Sequence, residues 1–151
     1  MFNWLYQIGE GMQMYSRDMF KHLCGMDVTC SAFIGTPYAT YLAIGLGAIT
    51  LGVLALHYYV LDSPSFNRYY HWWLMALIMA ILNFAVAYGI LHASIHPGGY
   101  CKDLHITNSG AIGVALFNVL TGLIVSIVLT WIPPLRRLST NNTYTTFIPL
   151  N

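Results

Sequence analysis

The sequence predicts an all-α integral membrane protein, with three transmembrane helices and an amphipathic N-terminal helix lying in the membrane interface. Three observations predict it. Hydrophobic residues make up 57% of the chain and charged residues only 7%, whereas soluble domains carry roughly 25% charge. No Asp, Glu, Lys or Arg occurs from Val28 to Leu61, from Tyr69 to Cys101, or from Leu104 to Leu135. Near the N-terminus, apolar residues instead recur at helical spacing among polar ones. At 151 residues the chain is expected to form one unit.

Crossing about 30 Å of hydrocarbon at 1.5 Å per residue takes roughly 20 apolar residues. Segments 38–61, 71–92 and 112–132 meet that length. Aromatic residues stand near their ends, among them Tyr38, Tyr41, Tyr58, Tyr59, Trp72, Trp73, Tyr88 and Trp131, as interfacial belts require. Pro37 precedes the first span, Ser63-Pro64 follows it, Pro97-Gly98-Gly99 follows the second, and Pro133-Pro134 ends the third.

Residues 1–37 then comprise the N-terminal helix and a loop, 38–132 the three-helix bundle with a His/Cys loop at 93–111, and 133–151 a polar tail. In segment 2–23, Phe2, Leu5, Ile8, Met12, Tyr15, Met19 and Leu23 recur every three or four residues. The opposite side holds Asn3, Gln7, Glu10, Gln13, Arg17, Asp18 and Lys21. Such a helix lies in the interface or packs on a partner helix. Gly9 and Gly11 are positions where it can bend. The opening residues lack the basic start and unbroken apolar core of a secretory signal, so the segment is expected to remain in the mature protein.

Three crossings place the termini on opposite faces of the membrane. The near face carries residues 1–37 and 93–111, the far face 62–70 and 133–151. Lys and Arg are balanced, with Arg17, Lys21 and Lys102 near and Arg68, Arg136 and Arg137 far. The Arg pair directly after the last span, and three cysteines on the near face, favour a multi-pass protein of the cell membrane with a cytoplasmic C-terminus. The Thr- and Asn-rich tail lacks helical periodicity and is expected to be held by another subunit or another copy. A net charge of +1 leaves no footprint for nucleic acid.

Reactive constellations are few. His92 and His96 are one helical turn apart, and with Cys101 and His105 they make a four-ligand set suited to Zn or Cu, with Asp103 and His22 in reserve. A polar cap where a helix leaves the bilayer explains the same residues without a metal. Cys24, Cys30 and Cys101 share the near face, so a disulfide is open to any two of them in an oxidising compartment. His57 and His71, on neighbouring spans, raise haem ligation, although they stand at the boundary rather than within the bilayer. Met12, Met14, Met19 and Met26 suit Cu(I), but unbranched side chains equally suit a packed stripe.

The regular signal is packing. Gly45, Ala48, Gly52 and Ala55 line one stripe of the first span, Ala76, Ala80, Asn83 and Ala87 one of the second, and Ala115, Asn118, Gly122 and Ser126 one of the third. In lipid, small residues allow close backbone approach, and polar residues bond across the seam. Asn83 and Asn118 sit at similar depth, so a mutual hydrogen bond is expected; the same residues could instead line a pore. No Ser-His-Asp order, phosphate loop, paired carboxylates or intramembrane charge supports an enzyme or a transporter. The expected function is a noncatalytic structural subunit of a secretion, conjugation or energy-converting membrane assembly. The alternatives are a homo-oligomeric ion-conducting pore and a small metal- or haem-binding redox protein. Lipid and other membrane subunits, or copies of the chain, are the expected partners.

Overall fold

The computed structural model describes residues 2–26, 32–61, 69–96, 101 and 103–131. Its helices are α1 (Asn3–Gly11), α2 (Arg17–Leu23), α3 (Tyr38–Ala55), continued by a π-helical turn (Leu56–Val60), α4 (Tyr69–Ile95) and α5 (Asn108–Trp131). No strand occurs among the described residues. Tyr38–Val60, Tyr70–Ile95 and Asn108–Thr130 are long and apolar enough to cross a membrane. Only 33% of the most apolar window of each is buried inside the chain. The exposed residues of these helices include Ile44, Leu51, Leu77, Ile81, Leu116, Ile124 and Val128, for which the suitable solvent is lipid. The polar tail, the 62–68 connection and Cys30 lie outside the described residues.

The N-terminal segment is two helices rather than the single helix expected over 2–23. Local chemistry breaks it. The Ser16 hydroxyl accepts the Met19 N–H at 3.2 Å and so starts a new helix, with Asp18 in its first turn and Lys21 and His22 in its last. Gln13 takes a left-handed φ of 58°, and the Met14 N–H returns to the Gly9 carbonyl at 3.1 Å. The break also divides the predicted stripe: Tyr15, Met19 and Leu23 are buried, while Ile8 and Met12 are exposed.

The spans begin and end close to where punctuation put them, with two extensions. α4 runs to Ile95, and α5 starts at Asn108 instead of 112. Asn108-Ser109-Gly110 reads as loop in composition. The Thr107 carbonyl, at 3.0 Å, and its hydroxyl, at 3.4 Å, both accept the Gly110 N–H, so the helix starts four residues early.

The described residues fall into two compact units, one drawn from residues 1–46 with 84–118 and one from residues 47–83 with 119–131. The first is built on an apolar core in which Tyr6, Met19, Leu23, Leu42, Leu91, Val114 and Phe117 are buried together. At its loop end Gly25 has a φ of +98° and its carbonyl accepts the Gly35 N–H at 2.8 Å. A Cβ at Gly25 would stand 3.0 Å from the Gly35 carbonyl oxygen, so glycine suits both the turn and the close approach. In the second unit the buried residues include Leu54, Tyr58, Trp72, Met75 and Met79, but also six polar ones, Thr50, His57, His71, Asn83, Ser126 and Thr130.

Candidate functional site

Each unit buries polar side chains, and burying them without partners is costly. In the first unit, α1 lies against α5 through Tyr6 and Gly9. The Tyr6 hydroxyl donates to Asn118 Oδ1 at 2.9 Å, and its ring packs on Phe117 at a centroid distance of 5.8 Å. Tyr15 meets Phe117 edge-on at 6.2 Å and donates its own hydroxyl to the Tyr6 carbonyl. Glycines make the approach possible. A Cβ at Gly113 would collide with the Met14 carbonyl oxygen, and one at Gly9 would stand 2.7 Å from the Tyr15 ring. Burial pushes the Tyr6 phenol well above its ordinary value, outweighing the opposite effect of the Asn118 bond. Burial, reinforced by the neighbouring Tyr6, pushes Tyr15 in the same direction.

His22, fully buried on α2, stacks on Tyr38 at 5.0 Å and meets Ser94 of α4, with Nε2 and Oγ 3.1 Å apart. A serine beside a histidine invites comparison with a nucleophile and its base. The hydroxyl has one proton, however, and it is given to the Leu91 carbonyl at 2.7 Å. Nε2–H must then donate to the serine oxygen, which is the reverse of what nucleophile activation requires. This pair joins two helices.

The expected metal set is not assembled in this arrangement. Cys101 is disulfide-bonded, so its sulfur is no thiolate, and thiolate is the form that binds metal. His92 and His96 are adjacent, with ring centroids 3.9 Å apart, whereas His105 is exposed in the loop and His22 is engaged with Ser94. Among the described residues, no three His, Cys, Asp or Glu side chains are grouped to hold one ion. Cys24, one of the three cysteines open to pairing, is a free thiol, and burial raises its pKa.

In the second unit the π-helical turn closes with the Leu61 N–H on the Leu56 carbonyl at 2.8 Å. It puts the consecutive residues His57 and Tyr58 both inside. His57 borders a small gap of about 10 Å³, lined also by Leu54, Trp72, Met75, Met79 and Ser126. Ligand sites usually offer about 300 Å³ or more, far more than this gap, and His71 is not among its lining residues. The Ser126 and Thr130 hydroxyls donate to the Leu123 and Ile127 carbonyls of their own helix at 2.8 and 2.7 Å.

The two asparagines do not bond to each other as expected. Asn118 Oδ1 accepts from Tyr6, the Asn83 amide donates to the Met79 carbonyl at 3.1 Å, and Asn83 Oδ1 has no hydrogen-bond partner, nor has Thr50 Oγ1. Asn83, Asn118, Gly122 and Ser126 are buried. The first-span stripe is different: Gly45 is half-buried, where a Cβ would lie 3.7 Å from Val86, and Ala48 and Gly52 are exposed. The inward side of α3 is taken by the bulkier Leu42, Leu46, Thr50 and Leu54, every four residues.

Sequence reasoning missed Tyr6 and the His22–Ser94 pair, and gave Tyr15 only as part of the apolar stripe. Gly9 and Gly113 were the available signals, as glycines placed where helices touch. Comparison with known protein families, with curated proteins and with solved structures finds no match.

Proposed function

We propose that the protein is a noncatalytic structural subunit of a larger integral membrane assembly, of the secretion, conjugation or energy-converting kind. One observation carries this reading. In the first unit the buried polar side chains that could do chemistry are committed to joining helices: Tyr6 to Asn118, Tyr15 to the Tyr6 backbone, and His22 to Ser94. Meanwhile two thirds of each span's apolar core window remains outside the chain's own interior.

The protein resides in the cell membrane with its near face in an oxidising compartment and its C-terminus in the cytoplasm. The Cys101 disulfide supports this orientation, because such bonds persist in oxidising compartments. Arg68, Arg136 and Arg137 then fall on the cytoplasmic face.

Gentle detergent extraction followed by mass determination tests the subunit reading. Stoichiometric co-purification with unlike membrane proteins is expected. Recovery as a lone monomer would contradict it, and many identical copies that leak ions in liposomes would favour the pore. Asn83, Asn118 and Ser126 are buried within a single chain, which supports packing over the pore.

A further inference from the structure

α1 presents three different sides, and they match three different surroundings. Tyr6 and Gly9 are buried against Tyr15, Phe117 and Asn118. Trp4, Ile8 and Met12 are 62%, 49% and 62% exposed. Being four residues apart, they form one stripe about 80° wide at roughly 100° per residue. Asn3, Gln7 and Gly11 are also exposed, and they form a parallel stripe on the next side. One side is thus packed on protein, one is apolar and uncovered, and one is polar and uncovered.

We propose that α1 marks the lipid–water boundary on this side of the protein, with Trp4, Ile8 and Met12 inserted among lipid chains and Asn3 and Gln7 at the headgroups. A helix wholly in water would gain nothing by exposing a tryptophan, an isoleucine and a methionine in register. A helix wholly in hydrocarbon would pay to expose an asparagine and a glutamine.

Two observations identify lipid as the occupant. First, α5, on which the N-terminal segment packs, itself carries exposed apolar residues beside the contact. Gly113 and Phe117, beside which the N-terminal segment packs, alternate on α5 with the exposed Ile112, Leu116 and Leu120. Second, Phe33 and Ile34, 60% and 70% exposed, stand only four or five residues ahead of Tyr38, where the first span begins. The depth agrees as well. Tyr6 is tied to Asn118, ten residues or about 15 Å along α5 from Asn108. α5 has 24 residues, about 36 Å, against about 30 Å of hydrocarbon, so part of that 15 Å can lie outside the chains. The remainder agrees with the 5–10 Å to which interfacial helices sink.

Nitroxide labelling of α1 tests the assignment. Single cysteines replace Asn3, Trp4, Gln7, Ile8, Gly11 and Met12 in turn, in the full chain carrying Cys24→Ser, reconstituted in phosphatidylcholine–phosphatidylglycerol vesicles. Collision with oxygen, which concentrates in lipid, should exceed collision with a water-soluble nickel chelate at positions 4, 8 and 12. The order should reverse at 3, 7 and 11, giving a several-fold swing with a four-residue period. Nickel-dominated relaxation at 4, 8 and 12 would overturn the proposal. So would labels there that neither reagent reaches, since that means a second copy covers the stripe. Native fluorescence supplies a check free of labels: shallow brominated lipids should quench a component of the wild-type emission that Trp4→Phe lacks. Equal fractional quenching of both proteins would also overturn it.

Discussion

Tyr6 and Asn118, 112 residues apart in sequence, are joined by a 2.9 Å hydrogen bond that fixes the N-terminal helix to the third span. A phenol of that length reaches an amide buried in a helix face only because the intervening backbones come unusually close, and they come close at Gly9 and Gly113. The same contact explains why both groups tolerate burial.

Tyr6→Phe leaves the ring on Phe117 but deprives Asn118 Oδ1 of its donor. A loss of about 1–3 kcal/mol is expected for an unsatisfied buried acceptor, read as unfolding by SDS in mixed micelles. In a double-mutant cycle with Asn118→Leu, a coupling of about 0.6–1.7 kcal/mol is expected. Additive effects of the two substitutions would show that the bond contributes nothing.

Gly113→Val should release the N-terminal segment, because its side chain meets the Met14 carbonyl oxygen, a backbone atom that cannot swing aside. Limited proteolysis should then cleave near residues 12–16 much faster than in wild type. Gly11→Ala is the control, since nothing lies within 4 Å of a Cβ there. It should leave proteolysis unchanged or slow it, alanine being favoured in a helix by up to about 1 kcal/mol.

The raised phenols of Tyr6 and Tyr15 give the pH dependence a definite sign. A folded-state value above the unfolded one means that the folded chain keeps its protons longer. Stability from these two groups is therefore complete below the unfolded value of about 10 and falls as pH rises past it. Tyr6→Phe should lower the starting stability and flatten the alkaline decline. A decline as steep as that of wild type would contradict the assignment.

Alkylation before and after reduction should separate the cysteines. Cys24 is expected to react without reductant, but slowly at pH 8, because burial holds its thiol protonated. Cys101 should react only after reduction. Cys101 alkylated without reductant would remove the support for an oxidising near face.

The spans were legible because uninterrupted charge-free runs of that length have few structural solutions besides crossing lipid. Their limits were less so: Asn108, Ser109 and Gly110 look like loop until Thr107 caps them. Small residues were ambiguous for a physical reason. In Ala115 and Gly122 smallness serves a buried helix face, whereas Ala48 and Gly52 point outward, and composition cannot distinguish the two when lipid accepts either. Tyr6 was marked only indirectly, by Gly9, since its partner is set by tertiary approach and not by periodicity. The disulfide state of Cys101 was open because pairing depends on geometry that spacing does not supply.

The central claim is that the chain crosses the bilayer three times. Membrane-impermeant labelling of tags at the two ends, in sealed vesicles of known orientation, tests it most directly. One tag should react from outside and the other only after the vesicles are opened. Both tags reacting from the same side would contradict it.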